Sequence, residues 1–192
     1  MNSFYSEEEL KKIGFKSIGK NNLISKKASI YGASNISIGN NVRIDDFCIL
    51  SGKINLGNYI HIAAYTALYA GDSEIIVYDF VGISSRCVVY AASDDYSGEF
   101  MTNPMIPEKY KNVISKSVII KKHCIIGSNS TLFPGVILNE GVAIGAQSLV
   151  NKECTEWNVY VGIPAKILKN RKKDLLLLEK KFIMELEKNK NN

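Results

Sequence analysis

Aliphatic residues recur at every sixth position over most of this 192-residue chain. Two long tracks carry the pattern on either side of an interruption: Ile38, Ile44, Leu50, Leu56, Ile62 and Leu68, and then Ile120, Ile126, Leu132, Leu138, Ile144 and Val150. A step of six matches neither the 3.6-residue turn of an amphipathic helix nor the alternation of an isolated strand. Self-similarity at a fixed period indicates a solenoid, whose repeats bury their apolar faces by stacking on one another.

Each six-residue unit is expected to form one short strand and one corner, so that three units complete a triangular coil. The aliphatic residue points into the prism, and a second track of smaller residues shares the interior, among them Cys48, Thr66, Cys124 and Ser130. Glycine and asparagine recur near the corners, where residues that tolerate left-handed backbone angles are useful. The predicted fold class is therefore all-β, a parallel β-helix with one continuous core.

Composition argues against several other classes of protein. Acidic residues near the N-terminus stand where a signal peptide would be apolar, and no run is long enough to cross a bilayer, so a cytoplasmic location without a membrane partner is expected. The net charge of +5 owes much to the basic segment after Lys166, but no nucleic-acid motif accompanies it, so no nucleic-acid partner is expected. The four cysteines form no CxxC pair and two histidines cannot supply a three-histidine zinc site, so the cysteines are expected to be structural and no metal is expected.

Segment 90–117 interrupts the repeat and is too long to be a corner. It begins near two adjacent aspartates, Asp94 and Asp95, and its aromatic residues argue against disorder. Long irregular segments inside a compact domain usually carry function. We therefore expect an ordered excursion loop.

The two ends of the chain carry helix signals. Ser6 and Glu9 form a capping-box pattern ahead of Gly14, and an apolar stripe at helical spacing follows Asp174. The predicted organisation is a helical segment 1–20, a β-helix 21–168 with its excursion loop 90–117, and a C-terminal helix 169–192.

The repeats in ISIGNNVRIDDFCILSGKINLGNYI and VIIKKHCIIGSNSTLFPGVILNEGVAIGAQSLV, with the closing VGIPAKILK, resemble those of the hexapeptide-repeat acyltransferases. The resemblance implies a left-handed β-helix and a homotrimer in which the excursion loop helps to build an active site with a neighbouring subunit. It also implies acyl-coenzyme A as co-substrate, lying along the later coils with its phosphates near cations of the closing turn. The residues assigned to coenzyme A in this way are Ser128, Gly145, Ala146, Pro164, Lys166, Lys169 and Arg171.

The excursion loop lacks the histidine that many sugar O-acetyltransferases of this family carry after the strand that here reads VVY. A sugar hydroxyl has a pKa of roughly 16 and needs a base that titrates near neutrality, which a carboxylate with a pKa of about 4 is not. A neutral amine is already nucleophilic, and its pKa of about 8 or below leaves a useful fraction neutral. The sequence therefore predicts N-acyl transfer by direct attack on the thioester.

The combination of YAASDDYSG, GISSR and HIAAYTALY resembles the N-acyltransferases of dTDP-linked amino-dideoxy sugars, which implies a nucleotide-linked amino sugar as acceptor. Asp94 and Ser84 are expected to hold the amine, although Asp95 fits the role of Asp94 equally well. The residues expected to contact the rest of the acceptor are Asp95, Tyr90, Arg86, His61 and Tyr65.

Two alternatives stay open at this point. A sugar O-acetyltransferase would recruit His61 or His123 as its base, although His123 is expected to be an exposed corner residue and His61 is explained as well by a surface position. A hexapeptide-repeat trimer without catalysis would serve only as a scaffold. The acyl chain, the sugar and the nucleotide base also stay open.

Overall fold

The computed structural model describes residues 3–190, which form a stack of short parallel strands with one helix at each end. Strand partners in neighbouring coils are 18 residues apart where the repeat is regular, as for Ile44 and Ile62, so three six-residue units complete one coil. The predicted all-β fold, a left-handed parallel β-helix, is confirmed.

The secondary structure follows the repeat closely. The helices are α1 (Glu7–Ile13) and α2 (Leu175–Lys190), with 3-10 turns at Ala33–Asn35 and Glu108–Tyr110. The strands are β1 (Ser17–Ile18), β2 (Leu23–Ile24), β3 (Ser29–Tyr31), β4 (Ile36–Ile38), β5 (Arg43–Ile44), β6 (Ile49–Leu56), β7 (His61–Ile62), β8 (Ala67–Val77), β9 (Gly82–Ile83), β10 (Val88–Tyr90), β11 (Ala92–Ser93), β12 (Ile114–Ser115), β13 (Val118–Ile120), β14 (Ile125–Ile126), β15 (Thr131–Leu132), β16 (Ile137–Leu138), β17 (Ala143–Ile144), β18 (Leu149–Val150), β19 (Asn158–Val161) and β20 (Lys166–Asn170).

Two parallel sheets wrap the core. An eight-stranded sheet has the order β2-β5-β7-β9-β14-β17-β19-β20, and a ten-stranded sheet follows the path β1-β4-β6-β8-β10-β15-β18 with β3, β13 and β16 attached. The two antiparallel pairs, β19 with β20 and β11 with β12, lie at the closing turn and at the base of the excursion loop. Each departure from the parallel stack therefore marks a segment that leaves the repeat.

The interior contains the residues that the six-residue tracks predict. Ile44, Leu50, Ile62 and Leu68 have no exposed surface, and all four cysteines are buried. The small polar residues of the second track bond to backbone within the coil: the Ser130 hydroxyl donates to the Gly145 carbonyl at 3.0 Å. This bonding removes the cost of burying a hydroxyl, so serine and threonine are tolerated where space is tight.

The corners depart from the expected use of glycine and asparagine. Positive φ angles form two columns in which bulky residues stand beside the expected asparagines: Asn21, Asn41, Tyr59, Phe80, His123 and Trp157, and then Phe47, Tyr65, Arg86, Asn129 and Gln147. Left-handed angles are unfavourable for such residues. Ring stacking offsets the cost, since the rings of Tyr59 and Phe80 lie 5.0 Å apart at 2°.

His123 belongs to this stacked corner, and its predicted exposure is wrong. Only 7% of the residue is exposed, because its ring stacks on Phe80 at 5.4 Å and its Nε2 lies 2.9 Å from Glu179 of α2. Burial raises the pKa of Glu179, but hydrogen bonds from Lys122 and His123 outweigh it and hold that pKa below its ordinary value. The C-terminal helix thus docks on the corner that the sequence presents as solvent-facing.

The boundaries of the stack extend into both flanking segments. α1 has the predicted capping box at Ser6 and ends at Gly14 with φ 84°. Strand β1, inside the segment 1–20, already pairs with β4, and the segment assigned to the C-terminal helix begins with the last residues of β20. Across residues 3–190, none of the helices is long and apolar enough to cross a membrane.

Truncating an inward residue tests the orientation of the tracks. Ile44→Ala is expected to lower the free energy of unfolding by about 2–5 kcal/mol, because it opens a cavity between the inward Ile24 and Ile62, whereas Ile44→Val should cost about 0.5–1.5 kcal/mol. Leu23→Ala on β2 is the control, since Leu23 is 45% exposed and should cost under about 1 kcal/mol. Urea unfolding followed by circular dichroism measures all three, and equal losses at positions 23 and 44 would contradict the assignment.

Candidate active site

Ser84 is held at the end of β9 by backbone bonds on both sides. Its N–H donates to the Ile126 carbonyl at 2.9 Å, and its carbonyl accepts from the buried Thr66 hydroxyl at 2.9 Å. The residue before it, Ile83, points into the core, so Ser84 follows at the rim of the coil. Within residues 3–190 the Ser84 hydroxyl has no hydrogen-bond partner, and the residue lines a surface cavity of about 330 Å³.

The same cavity brings together predicted residues of three different roles. Ser84 was predicted to be catalytic, His61 to bind the acceptor and Ser128 to bind coenzyme A, and all three line it. These three residues are close together because β7, β9 and β14, which carry or precede them, are successive neighbours in the eight-stranded sheet. Residues up to 67 positions apart in sequence, 61 to 128, thereby share one groove.

His61 belongs to a hydrogen-bonded cluster with Asp45 and Arg43 that the sequence did not indicate. Its Nε2 lies 2.8 Å from Asp45 Oδ2, and Arg43 Nε donates to Asp45 Oδ1 at 2.7 Å. Burial raises the pKa of Asp45, but the hydrogen bonds from His61 and Arg43 outweigh it and leave the pKa lowered. The available signal was the 18-residue register that sets Arg43 opposite His61, with Asp45 two residues beyond Arg43.

Asp94 lies at the entrance of the excursion loop. Strands β11 and β12 close the base of the loop, and Asp94 is the first residue after β11. It lines a cavity of about 680 Å³ and a smaller one of about 270 Å³. Its carboxylate Oδ2 accepts one long hydrogen bond, from Asn103 N at 3.4 Å, which leaves most of its acceptor capacity to the cavities.

The structure separates the two aspartates that the sequence left equal. Asp95 Oδ2 accepts from the Ser97 hydroxyl at 2.6 Å and from Ser97 N at 3.2 Å. This is the local turn bonding expected of an aspartate within a loop. Asp95 lines neither of the cavities that Asp94 faces.

Tyr90 lines the same cavity as Asp94, together with Tyr69 and Lys111, two residues that the sequence did not indicate. Its ring stacks on Tyr69 at 5.5 Å, and both rings line the larger cavity. Lys111 lines it too: only 7% of its side chain is exposed, and its Nζ lies 2.7 Å from Glu108. Sequence spacing gives no signal for Lys111, because its position depends on how the loop folds back.

Tyr65 and Arg86 lie on a corner outside these cavities. Tyr65 stacks on Phe47 at 5.0 Å, and the Arg86 guanidinium lies over the Tyr65 ring at 5.9 Å. Both residues are exposed. They form an aromatic and cationic edge next to the cavity of Ser84, since Arg86 follows Ser84 by two residues.

The residues predicted for coenzyme A fall into two groups. Ser128 lies in the groove of Ser84, Ala146 packs one coil further along the stack, and Pro164, Lys166 and Lys169 are exposed at the closing turn. Gly145 and Arg171 form the second group, because their polar groups already make hydrogen bonds within the chain. The Gly145 carbonyl accepts from the Ser130 and Ser148 hydroxyls, and Arg171 Nη1 donates to the carbonyls of His123 and Gly141.

Ser84 and Asp94 do not meet within one chain. In the described part of the chain, each cavity that Asp94 lines excludes Ser84, and the cavity of Ser84 excludes Asp94. The described residues also contain no cluster of three or more histidine, cysteine or acidic side chains that would hold a metal ion. One chain therefore presents two separate candidate regions, a groove with the Ser84 hydroxyl on the eight-stranded sheet and a pocket with the Asp94 carboxylate at the loop.

Comparison with known proteins gives close relatives along nearly the whole chain. The dTDP-4-amino-4,6-dideoxy-D-glucose acyltransferase of Escherichia coli is 50% identical over 94% of this chain and 95% of its own length. The crystal structure of AntD, an N-acyltransferase from Bacillus cereus, in complex with dTDP and 3-hydroxybutyryl-CoA, is 59% identical over 97% of this chain and all of that one, with a TM-score of 0.96.

A second AntD structure, its S84C mutant with dTDP-4-amino-4,6-dideoxyglucose and coenzyme A, covers 96% of this chain and 99% of that one at 59% identity and a TM-score of 0.95. No protein-family model matches the chain.

The cysteines are poor nucleophiles in this fold. Burial raises the pKa of Cys48 to about 11, of Cys124 to about 12 and of Cys154 to about 11, and it also raises that of Cys87. At pH 8 about a thousandth of Cys48 is thiolate, the form that attacks acyl groups.

Thiol reactivity tests this assignment. We expect the native protein to react with dithiobis(nitrobenzoate) at pH 8 at least about 100-fold more slowly than free cysteine, because the thiols are protonated and inaccessible. All four should react rapidly in denaturant, which serves as the control. A thiol that reacts fast in the native protein, or an acylated protein recovered after incubation with acyl-CoA alone, would contradict it.

Proposed function

The chain belongs to the dTDP-4-amino-4,6-dideoxyglucose N-acyltransferases within the hexapeptide-repeat family, and we propose that it transfers an acyl group from coenzyme A to the amino group of a dTDP-linked amino-dideoxy sugar. The single observation that carries the catalytic assignment is the Asp94 carboxylate, which lines the loop cavity with one long hydrogen bond and without a histidine beside it. Such a group orients an amine but is a weak base for a hydroxyl.

The proposed reaction is one direct displacement. The neutral amine attacks the thioester carbonyl carbon, the new N–C bond forms as the C–S bond breaks, and the electron pair of that bond leaves with sulfur. The proton lost from nitrogen goes to the departing thiolate, whose conjugate acid has a pKa of roughly 8.5. Asp94 and the Ser84 hydroxyl accept hydrogens of the amine and aim its lone pair, so that positioning supplies most of the catalysis.

The separation of Ser84 from Asp94 within one chain supports a homotrimer in this proposal, in which each chain supplies two half-sites. If Ser84 of one subunit faces Asp94 of its neighbour, each interface holds one complete site, and closed threefold symmetry gives three equal sites. The excursion loop offers apolar groups suited to such a contact, since Tyr96 is 91% and Met105 is 88% exposed in the single chain. The β-helix 21–168 would then carry the substrates, the loop 90–117 would complete the neighbouring site, and the end segments 1–20 and 169–192 would close the stack.

Coenzyme A is proposed to lie along the later coils. Ser128 and Ala146 lie 18 residues apart, at matching positions of successive coils, and Pro164, Lys166 and Lys169 are exposed at the basic closing turn of the last coil, where cations suit phosphates. We leave Gly145 and Arg171 out of this set, because their polar groups are bonded within the chain. Since acyl-CoA and nucleotide sugars are intracellular metabolites, a cytoplasmic location accompanies the proposal.

For the acceptor, Tyr90 would flank the sugar on the side of the loop, whereas Asp95 is left out of the proposed site because its carboxylate is bonded to Ser97 in its own turn. Tyr65 and Arg86 would meet the nucleotide, with Arg86 facing its pyrophosphate. His61, fixed by Asp45, would contact the sugar near Ser84.

A histidine-dependent O-acyltransferase is the second candidate, and the Asp45–His61 pair favours it. A carboxylate that orients an imidazole beside a substrate groove is the usual arrangement of a general base. Its Nε2 already faces Asp45, so only Nδ1 stays available for an acceptor hydroxyl.

An acceptor comparison with two variants separates the candidates. We expect the parent enzyme to acylate a dTDP-4-amino sugar at least about 1,000-fold faster in kcat/KM than its 4-hydroxy analogue, because the hydroxyl lacks a matched base. Asp94→Asn should lower kcat by about 100-fold or more, and His61→Gln by less than about tenfold. Steady-state assay of released thiol measures each rate.

Asp95→Asn serves as the matched control for Asp94→Asn, since it removes the same charge one residue away from a side chain bonded to its own turn. We expect it to cost less than about tenfold. Equal turnover of the hydroxyl and amino sugars, or complete loss of rate in His61→Gln beside an active Asp94→Asn, would support O-transfer instead.

A further inference from the structure

For 13 of the 14 glycines, the backbone conformation or a close contact within the chain explains why the residue has no side chain. Eight have positive φ angles between 58° and 98°, which other residues adopt reluctantly. At the remaining five a Cβ would lie 2.3–2.7 Å from another atom of the stack: Gly19, Gly39, Gly57, Gly127 and Gly145. All 14 lie within residues 3–190, so the exception is well defined.

Gly82 is that exception. Its φ lies outside the left-handed region, and a Cβ there would meet a single atom within 4 Å, Cγ1 of Ile125 at 4.0 Å. It occupies the outward position of β9, where the neighbouring strands carry His61 and Ile125. A glycine weakens a strand, and its presence often marks a place where a ligand or another backbone approaches closely. No atom of the described chain explains the missing side chain at Gly82, and the space beside it is open.

Gly82 also joins two cavities. It lines the groove of Ser84, and with Ile125 it lines a second cavity of about 440 Å³ beneath α2. The second cavity is walled by Tyr59, Phe80 and Phe182. Its charged groups are already paired, Glu179 with His123 and Arg171 with backbone carbonyls. The path over Gly82 thus leads from a polar groove into a largely apolar space.

We propose that Gly82 is a specificity-determining residue that opens a subsite for the acyl chain of the acyl-CoA. The inference rests on the proposed function, which places the thioester carbon at Ser84. The pantetheine arm then leaves past Ser128 and Ala146, beyond the C-terminal ends of their strands, whereas Gly82 lies at the opposite end of β9. The acyl chain is the remaining substituent of the thioester carbon. His61, opposite Gly82 on β7, is assigned to the sugar, which leaves the space over Gly82 and Ile125 toward α2 for the acyl chain.

The largely apolar lining of the cavity beneath α2 suits an acyl chain better than it suits the charged parts of the two substrates. The pyrophosphates of both substrates require unpaired cations, and no unpaired cation lines the cavity beneath α2 among the described residues. An aliphatic chain gains from contact with the aromatic wall and requires no polar partner. Acyl chains longer than acetyl would pass over Gly82 toward Phe80.

Gly82→Val tests the subsite through the length of the acyl chain. We expect its kcat/KM for acyl-CoAs with four or more acyl carbons to fall about 10–200-fold relative to that for acetyl-CoA, the usual effect of a misfitted methylene. Gly82→Ala should lower the same ratio of kcat/KM values, but by less. Ser37→Val is the control. It also introduces valine, but on β4 of the ten-stranded sheet, and it should leave the parent's dependence of kcat/KM on acyl-chain length unchanged.

Calorimetry without acceptor supplies a readout that does not depend on turnover. In the parent, butyryl-CoA should bind more tightly than free coenzyme A. In Gly82→Val, Kd for butyryl-CoA should rise about tenfold or more while Kd for free coenzyme A stays the same.

Several outcomes would overturn the inference. These are an equal loss of binding for butyryl-CoA and free coenzyme A, a change confined to KM for the sugar, and a Gly82→Val protein that no longer has the oligomeric mass of the parent. The last result would assign the space to a neighbouring subunit. A parent enzyme that acylates no amino sugar would refute the proposed function, and the binding series would still report on Gly82.

Discussion

The stacking of coil on coil by parallel backbone hydrogen bonds is the constraint on which every other feature depends. Neighbouring strands lie about 4.8 Å apart, and an inward aliphatic residue on each strand fixes which side chains point outward. Ile62, Ile83 and Ile126 lie in register across β7, β9 and β14. The residues beside them are thereby aligned on the outer surface, so one surface groove is formed by residues far apart in sequence.

The stack supplies only one of the two proposed catalytic groups. Ser84 is rigid, because its backbone is bonded on both sides within the stack. Asp94 comes from the loop that leaves the stack, and it faces a different cavity. A nucleophile that is reactive in its neutral form suits such a divided site, since it has to be oriented between two groups rather than deprotonated by one. A hydroxyl acceptor would demand a strong, matched base, which the loop lacks among its described residues.

The sequence predicted what the repeat controls and failed where distant segments meet. The buried tracks, the capping box at Ser6 and the position of Ser84 follow from local pattern. The burial of His123 depends in part on α2, whose Glu179 lies 56 residues away in sequence. The Arg171 guanidinium likewise bonds to the backbone of His123 and Gly141, 48 and 30 residues away. Asp45 and Lys111 also acquire their neighbours through register and loop folding, which no spacing rule within one segment describes.

In the proposed enzyme, each catalytic site joins Ser84 of one subunit to Asp94 of the next. This sharing is tested by the activity of mixed oligomers made by co-expressing an Asp94→Ala chain with a Ser84→Ala chain, each expected to be nearly inactive alone. In a trimer with sites shared between neighbours, random mixing restores one intact interface in every mixed trimer, so about a quarter of the parent rate should return. Mixed trimers verified by mass spectrometry that are no more active than the separate variants would contradict the account.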